Sequence, residues 1–153
     1  MTTVRRATAQ DIPRILELYQ QLFWDPDPSL QAPVEDCRKV LAEASKVPGY
    51  NLLVAEENGE VIGTTLFMVI PGFAHKTEPF AVIEYVVVAE NKRSNGVGKI
   101  LMDYCKELAI KSHCYKIILT SDKRRERAHK FYRTIGYEAS AEGFRYYLKD
   151  HNL

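Results

Sequence analysis

The chain has 153 residues, 46% of them hydrophobic and 27% charged, with a formal net charge of +1. This describes one soluble globular domain with room for a real core, and it argues against a nucleic-acid or anionic-membrane binder driven by bulk charge. Cys37, Cys105 and Cys114 form no C-x-x-C pair and His75, His113, His129 and His151 lack metal-ligand spacing, so neither a disulfide framework nor a metal site is expected.

Thr3 to Ala7 reads as a short strand. Asp11 then stands as a helix N-cap with Pro13 in the first turn, and Ile12, Ile15, Leu16, Tyr19, Leu22 and Phe23 follow at helical spacing, giving a first helix to about Phe23. The prolines of Trp24-Asp25-Pro26-Asp27-Pro28 end it. A second helix, Val34 to Ser45, would bury Cys37, Val40, Leu41 and Ala44 before Pro48-Gly49 stops it. Asn51 to Glu56 and Val61 to Ile70 flank Asn58-Gly59, a two-residue hairpin signal. A loop, Pro71 to Pro79, leads to a third strand of this series, Phe80 to Val88.

The stretch from Phe80 to Met102 organises the rest. Ala81 to Val88 is an apolar, β-branched run interrupted by one acid, Glu84, and a carboxylate in a buried strand is costly unless something uses it. A polar turn follows, Arg93-Ser94-Asn95-Gly96-Val97-Gly98, and then a helix from Lys99 to Lys111. Its apolar face would be Ile100, Leu101, Tyr104, Cys105, Leu108 and Ala109. Strand, glycine-rich turn and helix form an anion-binding device, because free N–H groups and the helix dipole point at the turn. The turn is not a dinucleotide loop, since Leu101 stands where a third glycine belongs, nor a P-loop, since Ile100 follows Gly98-Lys99. The alternative is a connection that uses its glycines for conformation only. Beyond it, Lys116 to Thr120 reads as a strand, Arg124 to Thr134 as a helix stopped by Gly136, and Tyr137 to Leu148 as one or two strands around Glu142-Gly143.

The pattern Arg93-x-x-Gly96-x-Gly98 resembles the acyl-CoA pyrophosphate loop of the GNAT superfamily of N-acetyltransferases. Ala128 to Tyr137 resembles the family's second signature, A-x-x-F-Y-x-x-x-G-[FY], in every defined position, and Arg6-Ala7-Thr8 with Asp11 resembles its common opening. The order β-α-α-β-β-β-α-β-α-β is also that of the GNAT fold, so the resemblance covers essentially the whole chain as one domain, residues 1 to 153. It implies an α/β (α+β) architecture, a mixed and mostly antiparallel sheet flanked by about four helices. The strand around Glu84 looks most like members with an acid four residues before its end, including glucosamine-6-phosphate N-acetyltransferases. No substrate follows from so local a match.

What the resemblance implies for chemistry is acetyl-CoA as co-substrate, without a metal, and direct attack by an amine without an acyl-enzyme. Arg93, Ser94, Asn95, Gly96, Val97, Gly98 and Lys99 would hold the pyrophosphate. Backbone N–H groups of Val86, Val87 and Val88 would hold the pantetheine arm and polarise the acetyl carbonyl. An ammonium has no lone pair, so a base is needed. Glu84, with its pKa raised by desolvation, fits that duty directly or through water, and the alternative is a structural ion pair. Tyr132 would protonate the leaving CoA sulfur, and it would also contact the cofactor; its alternative is packing beside Phe131.

Lys92 lies near the expected pyrophosphate, while the basic run with Arg124, Arg127 and Lys130 is either a solvated helix face or help for a 3′-phosphate. Asp25, Asp27 and Glu78 lie on loops expected to wall the acceptor site. Three functions stay open: acetylation of a small-molecule amine, acetylation of a protein or peptide, and a non-enzymatic acyl-CoA-binding regulator. The presence of both Glu84 and Tyr132 favours an enzyme, and the short chain favours small acceptors. The expected partners are acetyl-CoA and an amine, with no nucleic acid or membrane and a homodimer left open. With no signal peptide or membrane-spanning run, the expected location is cytoplasmic.

Overall fold

A computed structural model describes residues 1–149. The chain runs β1 (Thr3–Arg6), α1 (Ile12–Gln20), α2 (Val34–Ala44), β2 (Tyr50–Glu57), β3 (Glu60–Ile70), β4 (Phe80–Val88), α3 (Val97–Lys111), β5 (Ile117–Leu119) and α4 (Glu126–Thr134). The strands lie in sequence order in one sheet. β1 to β4 are antiparallel neighbours, and β5 joins β4 in parallel. The β2–β3 hairpin turns at Asn58 (φ 52°) and Gly59 (φ 80°), both left-handed as a two-residue turn of the right twist requires.

Helices cover both faces of the sheet. On one, Ile12, Ile15, Leu16 and Leu18 of α1 and Leu41 of α2 pack with Leu52, Val54, Val61 and Val87. On the other, Met102, Cys105 and Ala109 of α3 meet Leu53, Phe67, Ala81 and Ile83, with Phe131 and Tyr132 of α4 alongside. Gly63 marks the tightest approach: a Cβ there would lie 3.1 Å from both Leu101 Cδ1 and the Val87 carbonyl oxygen.

One irregularity shapes the molecule. Leu66 pairs with Glu84 and Thr64 with Val87, so Tyr85 and Val86 together oppose the single residue Thr65. Tyr85 takes the left-handed conformation (φ 54°) inside this bulge. The extra residue reverses the alternation of β4. Ala81 and Ile83 enter the α3 side of the core, whereas Val87 and Ala89 enter the α1 side. Pairing with β5 reaches only Ile83↔Leu119, so from Glu84 onward β4 has no strand on its β5 side among the described residues.

Five expectations change. α1 stops at Gln20, leaving Phe23 37% exposed beyond it. Asp11 stands at the start of α1 but does not cap it; the carboxylate takes the Arg5 guanidinium at 2.8 and 2.9 Å and the Thr8 N–H at 2.7 Å, tying β1 to α1. α2 lies on the body along a narrow stripe that buries Leu41 and leaves Val40 exposed, and α3 buries Val97 and Met102 while Ile100 faces out. The expected C-terminal strands do not form among the described residues: past Tyr137 the chain carries neither strand nor helix.

Candidate active site

The turn after β4 is built by side chains that reach back to neighbouring elements. Arg93 Nε donates to the Val88 carbonyl at 3.2 Å, and its guanidinium meets Gln21 Oε1 at 3.4 Å. The same Gln21 oxygen accepts the Glu90 N–H at 3.1 Å, so the end of α1 anchors the turn. Gly96 has φ 79°, which favours glycine, and open space where a side chain would project. Gly98 serves a different purpose: a Cβ there would sit 3.2 Å from Phe131 Cζ, so its absence lets α4 close on α3. Arg127 of α4 donates to Ser94 Oγ at 2.7 Å across the turn.

A cleft of about 820 Å³ opens where β4 and β5 part. Val86, Val87 and Val88 line it, with Arg93, Ser94, Gly96, Gly98 and Lys99 at the turn and Phe131 and Tyr132 on the α4 wall. Two residues of the expected set lie off its walls: Asn95, and Val97, whose side chain is buried in the core at the start of α3. The walls are basic, with Lys92, Arg124, Arg125, Arg127 and Lys130 added to those of the turn and Glu126 the one acid. Asp25, Asp27 and Glu78 take no part in the walls, and Asp27 instead accepts the Ser29 N–H at 2.9 Å.

Glu84 and Tyr132 differ in their access to this cleft. Tyr132 lines it, between the rings of Phe131 at 5.3 Å and Tyr137 at 6.0 Å. Burial pushes its phenol up to about 12; Arg125 pulls the other way, and the charge of Glu84 adds to the rise. Glu84 is not among the residues that line the cleft and is half-buried at the bulge. Burial raises its carboxyl above the usual range, opposed by the positive charge of Arg145. No hydrogen bond or ion pair closes on that carboxylate among the described residues.

A family description, Acetyltransferase (GNAT) family, matches residues 13–137. The chain belongs to the GNAT acetyltransferase family. Its fold matches a provisionally named acetyltransferase from Agrobacterium tumefaciens str. C58 with a TM-score of 0.87 and 31% identity, over 95% of this chain and 99% of that one. A structure described as a transcriptional regulator from Bacillus halodurans C-125 gives 0.86 and 27%, over 97% and 100%. A glucosamine 6-phosphate N-acetyltransferase of Trypanosoma brucei brucei is 34% identical over 85 residues, and the chain spans 55% of that relative's length with 55% of its own.

Against the GNAT pattern, the parts that motif reading missed are those that cross between distant segments. Trp24 stacks under two guanidinium groups, Arg124 at 4.6 Å and Arg125 at 5.0 Å, and Arg125 also donates to the Leu22 carbonyl. This joins the loop after α1 to the start of α4 over the cleft, whose walls include Leu22, Phe23 and Trp24. The sequence signals Trp24 only as part of a proline-broken stretch, and nothing local pairs it with arginines a hundred positions away. Arg145, which acts on Glu84, likewise comes from a segment that carries no motif. None of the three cysteines lines the cleft, and burial pushes the Cys105 thiol up to about 12. Among the described residues no group of His, Cys, Asp and Glu side chains is placed to hold a metal ion.

Proposed function

We propose that this GNAT chain transfers the acetyl group of acetyl-CoA to a primary amine of a small molecule, by direct attack within a ternary complex. The observation that carries the reading is the cleft itself, which joins a glycine turn at the start of α3, an unpaired edge of β4 and the Tyr132 phenol in one continuous space. The pyrophosphate would lie on the N–H groups from Ser94 to Gly98, with basic side chains around it. The pantetheine arm would run along Val86 to Val88 and bring the thioester toward Tyr132, and one of those N–H groups would stabilise negative charge developing on the acetyl oxygen.

Glu84 would take the ammonium proton before attack. The transfer would run directly or through an ordered water. Tyr132 would give its proton to the departing sulfur. A buried thiol with a raised pKa makes Cys105 a poor nucleophile, in keeping with a mechanism that has no acyl-enzyme. The similarity to a glucosamine 6-phosphate N-acetyltransferase supports trying amino-sugar phosphates first as acceptors. The alternative, an acyl-CoA-binding regulator, has the described role of the Bacillus halodurans structure in its favour.

Two measurements test this together. Calorimetry should show acetyl-CoA binding that Gly96→Asp abolishes while circular dichroism stays native; the open space at Gly96 accepts the bulk, and the left-handed backbone costs only about 1–2 kcal/mol. Assay of CoA release across amino sugars, their phosphates, amino acids, polyamines, aminoglycosides and peptides should then find a small amine that accelerates turnover. Undiminished affinity in the variant removes the cofactor assignment. Tight acetyl-CoA binding with no acceleration by any amine favours the regulator.

A further inference from the structure

β5 leaves β4 where Glu84 stands. The last register pair is Ile83↔Leu119, so Glu84 and Thr120 are the first residues beyond the ladder on the two strands. On its other side Glu84 faces the uncharged Leu66 of β3. The chain after α4 returns to this gap. A Cβ on Gly143 would lie 3.3 Å from Thr120 Cγ2, and two residues further Arg145 carries a guanidinium to the same end of the sheet.

That guanidinium is held by a different acid. Arg145 Nη1 stands 3.9 Å from Asp122 Oδ2 and donates to the Tyr147 hydroxyl at 3.5 Å. Asp122 is itself a fixed anchor. Its Oδ1 accepts the Arg124 N–H and Nε–H, both at 2.9 Å, and its Oδ2 accepts from Arg124 Nη2 at 3.1 Å. Arg124 first, and Arg145 after it, keep the Asp122 carboxyl well below its usual range, so it stays charged wherever Glu84 titrates. Burial raises the Glu84 carboxyl and the charge of Arg145 opposes that rise, yet no ion pair closes between the two. Tyr132, which faces Glu84 from α4, stays neutral because burial pushes its phenol up to about 12.

We propose that Asp122 is a positioning residue for acetyl transfer: by holding the Arg145 guanidinium it keeps that cation from closing an ion pair on Glu84, and so leaves the carboxylate free to take the ammonium proton. The role rests on Glu84 being the base proposed above. A carboxylate bonded to a guanidinium has its charged form stabilised and its lone pairs engaged, and it binds a proton poorly. A half-buried carboxylate with no partner is the better base, but it draws any cation that the fold leaves within reach. Arg145 is such a cation. A second acid, already fixed by Arg124 and nearer to Arg145, resolves the conflict.

Carbon NMR of the Glu84 side-chain carboxyl in the full chain, assigned from the signal that Glu84→Gln removes, reads this without acetyl-CoA or an amine. In Asp122→Asn the Glu84 carboxyl should titrate lower by about one pH unit or more, the effect of a guanidinium brought within contact. Arg145→Ala should raise the titration only modestly in the wild-type background and much more in the Asp122→Asn background. Should Asp122→Asn fail to fold, Asp122→Ser carries the same test, since its hydroxyl can still accept the Arg124 N–H. An unmoved Glu84 titration overturns the proposal. So does an Arg145→Ala effect equal in both backgrounds, which would mean that Asp122 acts through its own charge alone. Assay of CoA release separates this from the base assignment. An inactive Glu84→Gln with no Asp122 effect on the titration leaves the base standing and removes the role of Asp122. A fully active Glu84→Gln removes the base, and the role of Asp122 falls with it.

Discussion

Tyr132 keeps its phenolic proton because burial pushes its pKa up to about 12, and it does so within the cleft. Tyr132→Phe retains the ring, with its neighbours at 5.3 and 6.0 Å, so thermal stability should hardly move. The expected loss is in kcat, at the lower end of about 10²- to 10⁴-fold because a CoA thiolate is itself a fair leaving group, with acetyl-CoA affinity unchanged. Full kcat under single-turnover conditions, with chemistry limiting, would reduce Tyr132 to a packing residue. Glu84 gives a prediction of opposite signs for rate and stability. Its carboxyl pKa is raised in the fold by burial. The rate should therefore fall as pH drops through that raised value, giving an acid limb above the ordinary carboxylate range. The same shift means that the favourable contribution of a protonated Glu84 to stability is present at low pH and lost as pH rises through its folded pKa. Glu84→Gln should accordingly remove the acid limb and cost about 10²-fold or more in kcat, while raising Tm at neutral pH. A variant that is both active and less stable would make Glu84 structural. Arg145→Ala, by removing the opposing positive charge, should move the acid limb of the wild-type profile to higher pH.

At the scale of elements, the join between β1 and α1 depends on one carboxylate. Asp11, its side chain 8% exposed, binds Arg5 through two oxygens and also accepts from Thr8. The guanidinium holds its carboxyl below the usual range, so this contribution is present above the ordinary carboxylate pKa and fades as pH falls through the folded value. Asp11→Asn should cost about 1–2 kcal/mol in denaturant unfolding near neutral pH, discounted because Arg5 remains 39% exposed, and less in acid. An equal cost at both pH values would assign the loss to shape rather than charge. Most elements were legible before the structure because their signals are local: the Asn58-Gly59 turn, the β-branched run of β4 and the glycines at the start of α3 each act within a few residues. Helix faces were less so. Val40 sits at a helical apolar position yet faces outward, because how wide a stripe is covered depends on what packs against it. The bulge at Tyr85 was invisible, since an alternation that reverses inside an all-apolar run leaves no trace in composition. Residues 138–149 show the converse. Their sequence alternates enough to read as strand, but a ladder needs a partner strand, and in the fold all of them are exposed in an extended or bent chain.

For the molecule as a whole, a net charge of +1 conceals an uneven field. Lys92, Arg93, Lys99, Arg124, Arg125, Arg127 and Lys130 line one cleft, where Glu57, Asp103 and Asp122 pair with Lys92, Lys99 and Arg124 and leave the others in excess of the one acid in the walls, Glu126. Composition thus excludes binding driven by bulk charge and says nothing against a concentrated anion site. The cation-capped indole spanning that cleft gives the molecule a built-in optical probe. The chain has a single tryptophan, 50% exposed, so all of its indole emission originates beside Arg124 and Arg125 at the cleft. A phosphorylated ligand that draws either guanidinium away should change the intensity and wavelength of that emission, and acetyl-CoA titrated into unlabelled protein should yield a saturable curve. Arg125→Ala should alter the starting spectrum and shrink the response. A flat titration at concentrations that calorimetry shows to be saturating would mean that the loop after α1 is indifferent to what the cleft holds. A graded signal would let the order of cofactor and amine arrival be followed by stopped-flow fluorescence, with no reporter added to the protein.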